Sequence, residues 1–133
     1  MHILLAEDDP QFQSVLREAL ELYGHTVVTA DNGHSAYDLL QRVPVHLVIS
    51  DVHMPHCSGT QFHDTIRSDD RFCDLPFVYI TGYTILRVST PLDLPGLDFM
   101  VNKVPFDRVL QIVDELGRRR GCVSGDEVSV RAS

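Results

Sequence analysis

The sequence predicts an α/β domain built on a parallel sheet, and two observations carry that expectation. Short apolar runs of four or five residues alternate with longer segments whose apolar residues recur at helical spacing. Such alternation implies right-handed crossovers, and crossovers join parallel strands. A third observation concerns where the runs stop: most end at a carboxylate, a hydroxyl or an amine.

Taken in order, Ile3 to Ala6 is an apolar run with acids behind it, suited to a fully buried strand. Asp9-Pro10 then supplies an N-cap and a proline at the first helical position. Phe12, Val15, Leu16, Ala19 and Leu22 follow at helical spacing, and Gly24 stops the helix. Thr26 to Ala30 is a second strand with Asp31-Asn32-Gly33 as its turn. Ala36, Leu39, Leu40 and Val43 predict a second helix that ends before Pro44. His46 to Ser50 is a third strand, and Ser58 can cap a third helix carrying Phe62 and Ile66. Phe77 to Ile80 and Phe99 to Val101 are the fourth and fifth strands. The last helix starts near Asp107 and turns Val109, Leu110, Val113 and Leu116 inward, with Arg118 to Arg120 suiting its C-terminal dipole.

Between the fourth and fifth strands the alternation is interrupted. Pro91, Pro95 and Gly96 oppose a full-length helix, so a fourth helix is expected to be irregular or shortened, with one turn around Ile85 to Ser89. These elements make one domain over residues 1–120. Residues 121–133 are small and polar without a period and read as a flexible tail.

The balance of charge narrows the partners. The chain has 133 residues, 44% hydrophobic and 23% charged, with a formal net charge of −8. Nucleic acid and anionic membrane would repel it, so neither is expected as a direct partner. The cysteines Cys57, Cys73 and Cys122 are odd in number and match no zinc-finger spacing, which reads as reduced thiols in a cytoplasmic protein. His53, His56, Cys57 and His63 lie too close together for a standard zinc site, so the histidines read as surface loop residues. No apolar run approaches a membrane span, and the start MHILLAEDD turns acidic too soon for a signal peptide.

Ligands of open α/β sheets bind outside the carboxyl ends of the strands. There the first strand delivers Glu7, Asp8 and Asp9, the third Asp51, the fourth Thr81 and the fifth Lys103. Carboxylates gathered this way repel one another unless a cation joins them. Mg²⁺ suits such a site, because it takes oxygen ligands and typically combines one or two carboxylates with phosphate oxygens. A carboxylate can also attack phosphorus to form an aspartyl phosphate. Asp51 therefore reads as a phosphoryl acceptor, with Pro55 and Gly59 shaping a tight loop beside it and Thr81 and Lys103 placed to hold the transferred oxygens.

The acidic cluster Glu7 to Asp9, the D-x-x-M-P-x-x-x-G loop (Asp51, Met54, Pro55, Gly59), the Thr81-Gly82 pair and Lys103 come in family-like order. From about Met1 to Arg120 the chain resembles a receiver domain of bacterial two-component response regulators. The resemblance implies a flavodoxin-like, doubly wound sheet of five strands in the order 2-1-3-4-5. It implies Mg²⁺-dependent transfer of a phosphoryl group from a histidine kinase or phosphotransfer protein to Asp51, and signalling through a protein partner rather than dedicated enzyme activity. Carried over, Asp8 is the direct metal carboxylate with Glu7 contributing, Asp51 is both acceptor and ligand, and His53 offers its backbone carbonyl. Thr81 bonds a phosphoryl oxygen, Lys103 forms the ion pair, and Asp9 caps the first helix.

Three departures fall on the output side. Val104 stands where the family has proline after the lysine. A cis bond there would cost about 3 kcal/mol, so trans is expected. Met100 occupies the usual aromatic position, with Phe99 pointing to the other face, and the fourth helix is broken. They define the alternative, an interaction module of receiver fold whose phosphorylation switch is degraded. A phosphatase using Asp51 as nucleophile would carry a second acid where His53 stands, and a flavin phosphate would be repelled by the acidic first loop.

Overall fold

Residues along each strand go alternately to two cores, one on each face of the sheet. Ile3, Leu5, Leu47, Ile49, Val78, Ile80 and Val101 belong to one cluster. Leu4, Ala6, Val48, Phe77 and Tyr79 belong to the other. A sheet buried on both faces in this way is the doubly wound arrangement. The structure, a computed structural model, describes residues 1–54, 56–82, 98–103 and 106–123. Its elements are β1 (His2–Ala6), α1 (Pro10–Leu22), β2 (Thr26–Ala30), α2 (Gly33–Arg42), β3 (Leu47–Asp51), α3 (Gly59–Arg67), β4 (Phe77–Thr81), β5 (Asp98–Asn102) and α4 (Asp107–Val123).

All strand pairs are parallel and the order is β2-β1-β3-β4-β5, as the resemblance implies. Helices α1 and α4 cover the first cluster through Leu16, Leu20, Val109, Ile112, Val113 and Leu116. Helices α2 and α3 cover the second through Ala36, Leu40, Phe62 and Ile66. The expected broken helix, the Val104 peptide and the loop residue Pro55 lie outside the described residues, as do residues 124–133. Helix α4 continues to Val123, so Arg118 sits inside it rather than at its end and pairs with Asp114 at 3.5 Å on an exposed face.

The caps follow local chemistry. The Asp9 side chain accepts from the Gln11 amide at 3.0 Å with Pro10 behind it, as expected. Asn32 of the expected turn is the N-cap of α2, accepting from the Ser35 amide at 2.9 Å. Ser58 and Gln61 form a reciprocal capping box on α3.

One inward face differs from the sequence reading. Leu16 and Leu20 are buried in α1, with Phe12 packed partly against them, while Val15 is 51% and Leu22 85% exposed. The buried stripe follows the i, i+4, i+8 row Phe12–Leu16–Leu20, and this rotates Val15 and Leu22 to its edge and beyond. Both rows have helical spacing, so the sequence pattern alone did not choose between them. Leu20→Ala should therefore cost about 2–5 kcal/mol and Leu22→Ala no more than about 0.5 kcal/mol, read as shifts of the urea midpoint at constant slope.

Candidate functional site

Sheet register brings the polar residues to one edge. Ala6 pairs with Ser50, so Glu7 and Asp51 emerge side by side one step later. Asp51 pairs with Ile80 and Thr81 with Asn102, so Thr81 and Lys103 follow on the next two strands. Backbone bonds extend the ladder past the strand ends: the Glu7 amide donates to the Ala30 carbonyl at 2.9 Å, and the Lys103 amide to the Thr81 carbonyl at 2.8 Å.

The Lys103 ammonium lies between the two buried acids. Nζ donates to Asp51 Oδ2 at 2.8 Å and stands 2.8 Å from Glu7 Oε1. The Phe12 ring lies 5.3 Å from Nζ, a cation–π distance, and meets Phe106 edge-on. Asp8 is exposed beside them, and one oxygen each from Glu7, Asp8 and Asp51 lies within 4.8 Å of the others. Among the described residues this is the one cluster of three such groups able to hold a metal ion.

Each acid is held differently. Glu7 is fully buried, and its Oε2 accepts from the Asp9 amide at 2.9 Å. The Gln13 side chain clamps the turn by donating to the Glu7 carbonyl at 2.9 Å. Asp51 is 6% exposed, and its Oδ1 accepts from the His53 amide at 3.3 Å while the His53 ring faces solvent. Thr81 is buried at the end of β4, one strand away from Asp51. Gly59 is required by close approach: a Cβ there would lie 2.0 Å from the Asp51 carbonyl oxygen.

Burial pushes the Glu7 carboxyl up to about 7, against the lowering effects of Lys103 and the Asp9 amide, and the Asp51 charge adds to the rise. Burial alone would lower the Lys103 ammonium, but the neighbouring Asp51 and Glu7 carboxylates overcome this and raise it.

Sequence reasoning missed three features. Phe12 read only as core, although its ring also meets Lys103. Gln13 gave no signal. His63, read as a surface residue, is 2% exposed on α3, and Cys57 is buried too, whereas His53 and His56 are exposed as expected. His63 Nε2 is 2.9 Å from Asp98 Oδ1, and Arg67 Nη2 bonds the same oxygen, at the sheet edge opposite Lys103. Burial would raise the Asp98 carboxyl, but His63 and Arg67 hold it below the usual range. The signal was present, since His63 falls at i+4 in the inward row Gly59, Phe62, His63, Ile66.

The pattern of the response regulator receiver domain matches residues 3–113. The chain belongs to the response regulator receiver domain family. The receiver is 36% identical over 114 residues to the response regulator receiver protein CpdR of Brucella abortus, covering 86% of this chain and 92% of CpdR. It is 33% identical over 112 residues to the response regulator protein FleR of Pseudomonas aeruginosa, covering 84% of this chain but only 23% of FleR. The crystal structure of the response regulator TrrA of Thermotoga maritima, in complex with Mg²⁺ and BeF, superposes with a TM-score of 0.71 at 29% identity, covering 86% of this chain and 97% of TrrA. Among the described residues no helix of the receiver is long and apolar enough to cross a membrane.

The raised Glu7 carboxyl has a consequence for stability. Between its ordinary value of 4.5 and about 7, the folded receiver holds a proton that the unfolded chain has lost. Stability from this group is thus full below that window and falls as pH rises through it. In metal-free buffer the unmodified chain should lose more stability than Glu7→Gln between pH 5 and pH 8, by no more than about 3 kcal/mol, in paired urea titrations. Equal losses in both chains would contradict the assignment.

Proposed function

We propose that this receiver takes a phosphoryl group onto Asp51 from the phosphohistidine of a histidine kinase or phosphotransfer protein. A Mg²⁺-dependent reaction would do this, and the phosphorylated state would control binding to a protein partner in the cytoplasm. The observation that carries the reading is the Lys103 ammonium 2.8 Å from Asp51 Oδ2, beside three carboxylates that converge within 4.8 Å.

The donor set fits Mg²⁺. It offers hard oxygens, and Glu7 Oε1 is buried against the Lys103 charge without a hydrogen bond of its own among the described residues. Glu7, Asp8 and Asp51 would hold the ion, with the His53 carbonyl as a further oxygen. Bound there, Mg²⁺ would offset the negative charge of the acceptor and the incoming phosphoryl group. The complex of the similar TrrA with Mg²⁺ and BeF supports the reading.

The chain's own residues do the rest. An Asp51 carboxylate oxygen attacks phosphorus, the bond from phosphorus to the histidine nitrogen breaks, and that nitrogen keeps the electron pair. The His53 amide on Oδ1 orients the carboxylate. Lys103 swings from its ion pair to a phosphoryl oxygen, and Thr81 supplies a hydroxyl to another. His53, exposed and two residues past Asp51, would influence the lifetime of the aspartyl phosphate. Such self-contained chemistry makes the receiver a switch rather than a dedicated enzyme.

Intact-protein mass after incubation with acetyl phosphate tests this directly. A single phosphate adduct should form only with Mg²⁺ and be absent from Asp51→Asn. Lys103→Met should form it about 100-fold more slowly, the loss typical of removing one preorganised charge-stabilising donor. A chain that binds neither Mg²⁺ nor phosphate would instead be a phosphorylation-independent binding module.

A further inference from the structure

The acceptor loop from Val52 to Ser58 is fastened at three points. At its start the Val52 amide donates to the Ile80 carbonyl at 3.2 Å, and at its end the Gly59 amide donates to the Val52 carbonyl at 3.0 Å. The third point comes from the first residue of α2: the Gly33 amide donates to the Cys57 carbonyl at 3.0 Å. A first-turn amide has no partner inside its own helix, so α2 spends one of these donors on the loop.

Side chains make the same junction tight. The Cys57 thiol is buried in the second core cluster. A Cβ on Gly33 would come 2.4 Å from its sulfur and 3.0 Å from both its Cβ and its carbonyl oxygen. His56, just before it, has φ 68°, a left-handed conformation that non-glycine residues seldom adopt and that persists only when neighbours impose it. Four residues before Cys57, the His53 amide holds the Asp51 carboxylate.

We propose that Gly33 and Cys57 are positioning residues for phosphoryl transfer, an inference that rests on the phosphoryl-acceptor reading of Asp51. Their contact pins the far half of the loop, keeps His56 in its strained turn, and so fixes the His53 amide and the Asp51 carboxylate in the attacking geometry. Side-chain bulk at position 33 would lift Cys57 and slacken the loop without touching a reacting group.

The test is a cycle of Gly33→Ala, Cys57→Ala and the double variant. Each is scored by the maximal rate of phosphate-adduct formation at saturating Mg²⁺ and acetyl phosphate, per folded molecule. Gly33→Ala should be slower by at least about tenfold, since a displacement of about 1 Å can cost about 100-fold. The double variant, relieved of the 2.4 Å sulfur contact but keeping those to the Cβ and carbonyl oxygen of residue 57, should be faster than Gly33→Ala though slower than Cys57→Ala. Should Gly33→Ala not fold by itself, its recovery in the double variant supports the contact, and Cys57→Val should slow the reaction from the loop's side. A Gly33→Ala or Cys57→Val rate equal to that of the unmodified chain would overturn the proposal, as would a double variant as slow as Gly33→Ala. An unmodified chain that forms no adduct would overturn the phosphoryl-acceptor reading instead.

Discussion

The Lys103 ammonium between Glu7 and Asp51 is the interaction on which the rest of this receiver depends. Two carboxylates buried at neighbouring strand ends would each carry a desolvation penalty of several kcal/mol if left unpaired. One cation placed 2.8 Å from both compensates them together. It does so only if β1, β3 and β5 end at the same level, which the unbroken parallel register provides. The pairing is also incomplete. One ammonium faces two buried acids and an exposed third, so burial holds a proton on Glu7 to about 7 and leaves the edge attractive to a further cation. The same shortfall of positive charge that holds a proton on Glu7 would favour a further cation at this edge.

Strand β5 shows how the fold protects that geometry. It lies at the edge of the sheet and pairs with β4 alone. Side chains hold it from both ends: Asp98 ties its start to His63 and Arg67 of α3, and Lys103, just past its end, ties it to β1 and β3. Helix α3 in turn begins against the Asp51 carbonyl, where only a glycine fits. The strand that leads to Lys103 and the helix that follows Asp51 are therefore linked through a buried ion pair at the far end of β5. Breaking a buried pair by removing one partner is costly, so this link anchors the start of β5 to α3.

Much of this was legible in the sequence because strand identity and strand-end chemistry are local. Thr26 to Ala30 is β2 with the expected bounds, the other strands differ by a residue or so at their ends, and each delivers its expected polar residue to the same edge. Alternation correctly sent Phe99 and Met100 to opposite faces. What was not legible depends on rotation and on distant partners. The inward row of α1 had two solutions of equal period, and packing against β1 and α4 chose Phe12–Leu16–Leu20. His63 looked polar and therefore external, yet a carboxylate 35 residues away makes its burial affordable. The Gly33–Cys57 junction joins two turns that no spacing rule relates.

Burial also ranks two acids that stand side by side in the chain. Glu7 and Asp8 are equally acidic in sequence, but just past the end of β1 Glu7 is buried and Asp8 exposed. Glu7 is fixed from two sides, by Lys103 at one oxygen and the Asp9 amide at the other, and so is committed to the charge balance of the interior. Asp8 by contrast is exposed beside them. Two neighbouring residues just past β1 thus differ in setting, one acid buried against the lysine and the other exposed at the same edge.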